Sequence, residues 1–217
     1  MDSVLEQLVR SPRLKLYVDE LSEVLRHEAP AREKFREDLD EDIKAEFING
    51  EIDMHSPARH GHTTTLGRIL KILDTYSFVH SKGQVLFEKA LCAFTRNDYE
   101  PDICFWLAGK ADAFTGKTRV YPPPDFVVEV LSESTEHRDR GLKFEDYAAH
   151  GVQEYWIVDA ETRTIEQYIL EAGRFTLAAK MNNGSIQCRA IEGLELTIAA
   201  AFDDAANLEL LRRIVKQ

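Results

Sequence analysis

Apolar residues recur at helical spacing over Val4–Val9 and again over Leu14–Leu25, with Ser11-Pro12 between them, so two helices are expected ahead of the main fold. From residue 36 the pattern changes. "REDLDEDIKAEFINGEIDMHSP" runs from charges into alternating apolar and polar positions on either side of Asn49-Gly50, the strongest short hairpin signal, so a sheet is expected to begin near Glu46. "HGHTTTLGRILKILDTYSFV" places Leu66, Ile69, Leu70 and Leu73 on one helical stripe, with His62 to Thr64 as capping candidates. Four strands follow: "GQVLFEKALCAF", "EPDICFWLA", "DFVVEVLS" and "EYWIVDA". Between the last two lies "STEHRDRGLKFEDYAAHG", a helix that Thr135 can cap and Gly151 can stop. Strand, helix and strand in that order imply a crossover unit. A hairpin over "TIEQYIL", "EAGR" and "FTLAAK" comes next, and "FDDAANLELLRRIVKQ" closes the chain as an amphipathic helix with Leu208, Leu211 and Val215 on its apolar stripe. The class is mixed α/β around one sheet.

Composition narrows the functional classes. A chain of 217 residues, 44% hydrophobic and 30% charged, can bury a substantial core in one domain. Cys92, Cys104 and Cys188 are scattered without metal-ligand spacing and read as reduced thiols of a cytoplasmic protein. No apolar run approaches the roughly 20 residues of a membrane span, and no signal peptide is evident. A net charge of −11 disfavours indiscriminate adhesion to nucleic acid, though not a local site for it. The histidines of "HSPARHGH" lack the ligand spacing of a zinc site.

The chemistry concentrates in two strands. Side chains alternate along a strand, so Asp125, Val127, Glu129 and Leu131 share one face, and Glu100, Asp102 and Cys104 share a face of the neighbouring run. Burying an unpaired carboxylate costs on the order of several kcal/mol, or shifts its pKa until it is neutral. Acids on adjacent strands that point the same way therefore require a lysine or a hard divalent cation between them. Asp125 opens its strand directly after three prolines and is expected at the edge of the core, as a cap or a support.

"EPDICFW", "PPDFVVEVLSEST" and "RDRGLKFEDYAAHGVQEYWIVDAETRTIEQY" together resemble the Uma-type endonuclease family, formerly a domain of unknown function, within the PD-(D/E)xK restriction-endonuclease-like superfamily. The resemblance runs from about "AEFINGEIDMHSP" to Phe175 and leaves residues 1–40 outside as a helical extension, with 41–217 as the nuclease-like domain. It implies a central mixed sheet flanked by helices and metal-dependent hydrolysis of phosphodiester bonds in nucleic acid, with DNA as the expected substrate. By position, Asp102 and Glu129 match the family's metal-binding acids, and Lys143 matches a lysine on the helix after the second acid. The superfamily's usual lysine, two residues beyond the acid, is Leu131 here. Glu46 matches an N-terminal glutamate that such folds aim at the metal, although Ala45 stands where an aromatic residue is usual. His62 matches a histidine at the start of the following helix, and Glu154 fits a habit of polar residues near the site. Magnesium is the implied ion, with manganese as the alternative, and pairing as a homodimer is common among related nucleases. Two other classes meet the same acids: a nuclease fold that no longer cuts and serves as a binding module, and a paired-carboxylate hydrolase such as a glycosidase.

Overall fold

The computed structural model describes residues 3–39 and 43–216. Its strands divide among three sheets rather than one. A six-stranded sheet runs in the order Arg174–Met181, Thr164–Glu171, Glu154–Asp159, Phe126–Val130, Ile103–Leu107 and Gly83–Phe87. Every pairing in it is antiparallel except that of Phe126–Val130 with Glu154–Asp159. That parallel pair is bridged by the crossover segment expected from strand, helix and strand. A five-stranded sheet orders Glu51–Met54, Ala45–Ile48, Asp98–Tyr99, Leu91–Ala93 and Val120–Tyr121, and Ser185–Gln187 pairs with Glu195–Thr197.

The division arises inside "GQVLFEKALCAF". Glu88 adopts a left-handed φ of 51°, so the run breaks into Gly83–Phe87 in the large sheet and Leu91–Ala93 in the small one. At the hairpin, Asn49 and Gly50 both have positive φ, 51° and 90°, as a two-residue primed turn requires. That turn sets the register Ile48↔Glu51, Phe47↔Ile52, Glu46↔Asp53 and Ala45↔Met54.

The large sheet separates two apolar layers. On one face, Leu66, Ile69, Ile72 and Leu73 of the helix His60–Val79 pack on Phe126, Val128, Val130, Trp156 and Val158. On the other, Val127, Cys104, Trp106, Tyr155 and Ile157 meet Tyr147 of the helix Leu142–Ala149 and the small sheet's Cys92 and Tyr99. Glu129 belongs to this second face. It therefore points between the two sheets rather than toward solvent.

Several local expectations are corrected. The second N-terminal helix does not end near Leu25: it runs Leu14–Asp38 through Pro30, and its last turns dock on the small sheet through buried Phe35 and through Arg32 and Arg36, which both bind the buried carboxylate of Asp98. His62 to Thr64 do not cap their helix, which starts at His60, and the Thr64 hydroxyl donates back to the His60 carbonyl instead. Thr135 supplies no side-chain cap, and Gly141 divides the expected helix into Glu136–Asp139 and Leu142–Ala149. A Cβ at Gly141 would stand 2.8 Å from the His137 carbonyl oxygen. In the C-terminal helix Asp204–Ile214 the core-facing stripe is Asn207, Leu210 and Ile214, while Leu208 and Val215 are exposed. Leu211 packs only at the margin, so the stripe lies about one position round from the one expected.

Between the crossover and the outer hairpin, Arg140 binds Glu166, which also receives Lys180 and the Tyr168 hydroxyl. Burial would raise the Glu166 carboxyl, but these partners outweigh it and hold it at about 2. A carboxyl lowered on folding stabilises the native state above its ordinary pKa, about 4.5, and loses that contribution as the pH falls toward 2. Glu166→Gln should therefore melt lower than wild type at pH 7, with the difference shrinking by pH 3 in circular dichroism melts. A constant difference across that range would assign the effect to shape rather than charge.

Candidate active site

Lys143 is the hub. It lies on Leu142–Ala149, in a run of charges that a sequence pattern assigns to solvent, yet its side chain is 3% exposed. Its ammonium stands 2.9 Å from Glu46 Oε1, 3.1 Å from Glu129 Oε1 and 3.6 Å from Asp139 Oδ1. Helical spacing contributes twice: Asp139 precedes Lys143 by one turn, and Tyr147 follows by one turn and donates to Glu129 Oε1 at 2.9 Å. Burial alone would discharge this lysine, but the three carboxylates outweigh it and hold its pKa well above the usual lysine value.

Asp102 and Glu129 meet across adjacent strands. The Asp102 N–H donates to Glu129 Oε2 at 3.2 Å, and the Val130 N–H returns a bond to Asp102 Oδ2 at 2.9 Å. Asp102 Oδ1 accepts from Lys44 at 2.8 Å, and His62 Nε2 lies 3.5 Å from Oδ2. Burial raises the Asp102 carboxyl, but Lys44 and His62 outweigh it and hold it well below the ordinary carboxylate range. Glu129 behaves in the opposite way. Burial pushes it up to about 7, because Lys143 alone does not offset the neighbouring charges of Asp139, Asp102 and Glu46. Burial would also raise Glu46, but Lys143 and His55 bring it down to about 2. Glu100, which accepts the Ala45 N–H, is pushed up to about 7 by burial.

Of the residues singled out in the sequence, Glu46, His62, Asp102, Glu129 and Lys143 converge here. Asp125 and Glu154 do not. Asp125 is buried, not marginal, at the other end of its strand, where it pairs with Lys110 at 2.7 Å and accepts the Leu107 N–H at 2.9 Å. Glu154 lies on the opposite face of the sheet, fully buried, and accepts from Trp156 Nε1 and Gln167 Nε2 at 2.6 Å and from the Arg189 and Ala190 N–H groups at 2.7 Å. Its partners tie the sheet to the loop that follows Gln187. Glu154→Ala removes the acceptor shared by these N–H groups and the Cys188 thiol, and should cost about 3 kcal/mol or more in chemical unfolding while leaving Lys143 and its acids untouched. A loss under about 1 kcal/mol would contradict this anchoring role.

Lys44, Asp53, His55, Arg138, Asp139 and Tyr147 also belong to the cluster and were not singled out as site residues from the sequence. A signal for three of them was present. A two-residue turn at Asn49-Gly50 sets Glu46 opposite Asp53, and period-two alternation then adds Lys44 and His55 to the same face.

The mixed sheet and the crossover helix form a restriction-endonuclease-like fold. A crystal structure described as that of "a putative nuclease belonging to DUF820" from Anabaena variabilis ATCC 29413 is similar, with a TM-score of 0.63 over 77% of this chain and 90% of that one, at 16% identity. The chain belongs to the Uma2 family, described as "putative restriction endonuclease", whose profile matches residues 32–199. No curated protein matches the chain. Among the described residues no helix is long and apolar enough to cross a membrane.

Proposed function

We propose that the protein is a divalent-metal-dependent endonuclease that hydrolyses phosphodiester bonds in nucleic acid, with DNA as the expected substrate. The observation that carries this reading is the excess of buried acid at one point. Glu46, Glu129 and Asp139 surround a single lysine, with Asp102 adjoining. A donor set of hard carboxylate oxygens fits a divalent cation. Two further observations support the fit: Glu46 Oε2 and Asp139 Oδ1 are buried without a hydrogen-bond partner, and Glu129 is pushed up by burial, with the neighbouring carboxylates adding to the shift.

Asp102 and Glu129 would hold the ion, Mg²⁺ or Mn²⁺, with Glu46 beside them. A bound ion supplies a Lewis acid for the scissile phosphate and lowers the pKa of a water nucleophile. Lys143 keeps its charge in a pocket closed to water, where an ammonium stabilises developing negative charge more strongly than it would in bulk solvent. Lys44 fixes one oxygen of Asp102, and the Val130 N–H fixes the other, so that this carboxylate is oriented before any ligand arrives. Tyr147 and Lys143 do the same for Glu129 Oε1.

The test is cleavage of single-stranded, double-stranded and branched DNA and of RNA, with Mg²⁺ or Mn²⁺ and with EDTA. Cleavage should require the ion. Cleavage of nucleic acid that persists in EDTA, or no cleavage of any substrate, would overturn the proposal.

A further inference from the structure

Glu46, Asp53 and His55 lie on one face of the hairpin formed by Ala45–Ile48 and Glu51–Met54. Glu46 and Asp53 are direct cross-strand partners, and His55 follows Asp53 by two residues, with its N–H bonded to the Lys44 carbonyl at 3.0 Å. Their ligand atoms all fall within 4.8 Å of one another. His55 Nε2 stands 3.3 Å from Glu46 Oε2 and 3.9 Å from Asp53 Oδ2. Donors about 2.1 Å from an ion stand about 3.0–3.5 Å apart at tetrahedral or octahedral angles, close to the first of these separations.

A second observation points to a ligand. Glu46 is fully buried, its Oε1 is taken by Lys143 and the Glu100 N–H, and its Oε2 faces His55 with no hydrogen bond to any described residue. His55 Nε2 is likewise buried and without a hydrogen bond. Two good ligand atoms thus face each other at 3.3 Å, with each other as their near polar contact and no hydrogen bond to either. Arg138 grips both oxygens of Asp53, which holds that carboxylate in place while each oxygen retains lone-pair capacity.

We infer that Glu46, Asp53 and His55 form a second divalent-cation site, distinct from the Asp102 and Glu129 pair, that takes a borderline transition-metal ion in preference to Mg²⁺. An imidazole nitrogen beside two carboxylates suits Mn²⁺, Fe²⁺, Co²⁺ or Zn²⁺, whereas Mg²⁺ favours oxygen ligands alone. The ligands sit on paired strands, so their separation is set by the sheet rather than by a loop. Lys143 touches Glu46 at its other oxygen, so an ion here is one carboxylate away from the proposed reaction centre.

The test uses Mn²⁺ as the probe, read by pulsed electron paramagnetic resonance for coupling to a ¹⁴N ligand nucleus and by calorimetry, on the full chain and on His55→Gln, His62→Gln, Asp53→Asn and Asp102→Asn. Wild type should show a nitrogen-coupled Mn²⁺ signal that survives in His62→Gln and Asp102→Asn and disappears in His55→Gln. Asp53→Asn should weaken Mn²⁺ at that site about tenfold or more. It keeps the side-chain shape, so it tests the site independently if His55→Gln fails to fold in circular dichroism. No nitrogen coupling in wild type, coupling retained in His55→Gln, or coupling lost with His62 would overturn the inference. Failure of the Asp102 and Glu129 reading would show separately, as Mn²⁺ binding that Asp102→Asn leaves unchanged in amount.

Discussion

Lys143→Met should be the most damaging single substitution in the molecule. It removes the one ammonium that Glu46, Glu129 and Asp139 share and leaves three buried carboxylates facing one another. Deleting one member of a buried charge network costs about 3–5 kcal/mol. The apparent melting temperature should fall accordingly in thermal melts with EDTA. Part of the loss should return when Mg²⁺ or Mn²⁺ is added, because a bound cation replaces some of the missing positive charge. Cleavage by the refolded variant should drop by about 100-fold or more even with saturating ion, because the charge proposed to stabilise the phosphate is gone. A variant that melts within about 1 kcal/mol of wild type would contradict the role of Lys143 as the hub.

Asp102→Asn should behave in the opposite manner, keeping the fold and losing the chemistry. The amide oxygen of asparagine can still accept the Val130 N–H that Asp102 Oδ2 accepts, so the strand pairing survives. The variant loses the negative charge that Lys44 and His62 surround and the oxygen that would hold an ion. Cleavage should fall by about 100-fold or more, while the melting temperature in EDTA falls by less than in Lys143→Met, which strands three carboxylates. The pairing of these variants separates two functions in one cluster. On the proposed reading, Lys143 holds the cluster together and Asp102 equips it for an ion.

The contrast also shows what a linear reading can reach. Glu129 announces itself: an acid flanked by Val128 and Val130 in a strand short enough to be fully buried needs a partner. The Asn49-Gly50 turn announces itself through its backbone requirement, and its register places Glu46 opposite Asp53. The burial of Lys143 was not legible in the same way. Its neighbours Arg138, Asp139, Arg140 and Glu145 make the segment look like a solvated face, and only the small sheet folding over the helix turns that face inward. Only the family resemblance singled it out. The division of "GQVLFEKALCAF" depends on one residue, Glu88, adopting a left-handed conformation that its side chain does not advertise. His55 was set aside because "HSPARHGH" lacks zinc spacing along the chain, yet its companions come from across a hairpin, where spacing in sequence says nothing.

Asp125 and Glu154 mark the opposite case. Both are acids beside the same strand run, and both are buried, but each is fully engaged by donors of its own: Lys110 and the Leu107 N–H for Asp125, and four N–H groups for Glu154. A buried acid whose bonds are complete has no call for a cation. The acids around Lys143 differ in leaving two buried carboxylate oxygens, Glu46 Oε2 and Asp139 Oδ1, without a hydrogen bond.

The central claim is that this surplus of buried acid exists to hold a divalent ion through Asp102 and Glu129. Calorimetric titration of Mg²⁺ into wild type and Asp102→Asn addresses it directly. Mg²⁺ is the probe of choice because it favours oxygen ligands and so reports on this pair rather than on the imidazole-containing set. Wild type should bind the ion, and Asp102→Asn, folded by circular dichroism, should bind it at least about tenfold more weakly. Equal binding by the two proteins, or no binding by wild type, would contradict the account.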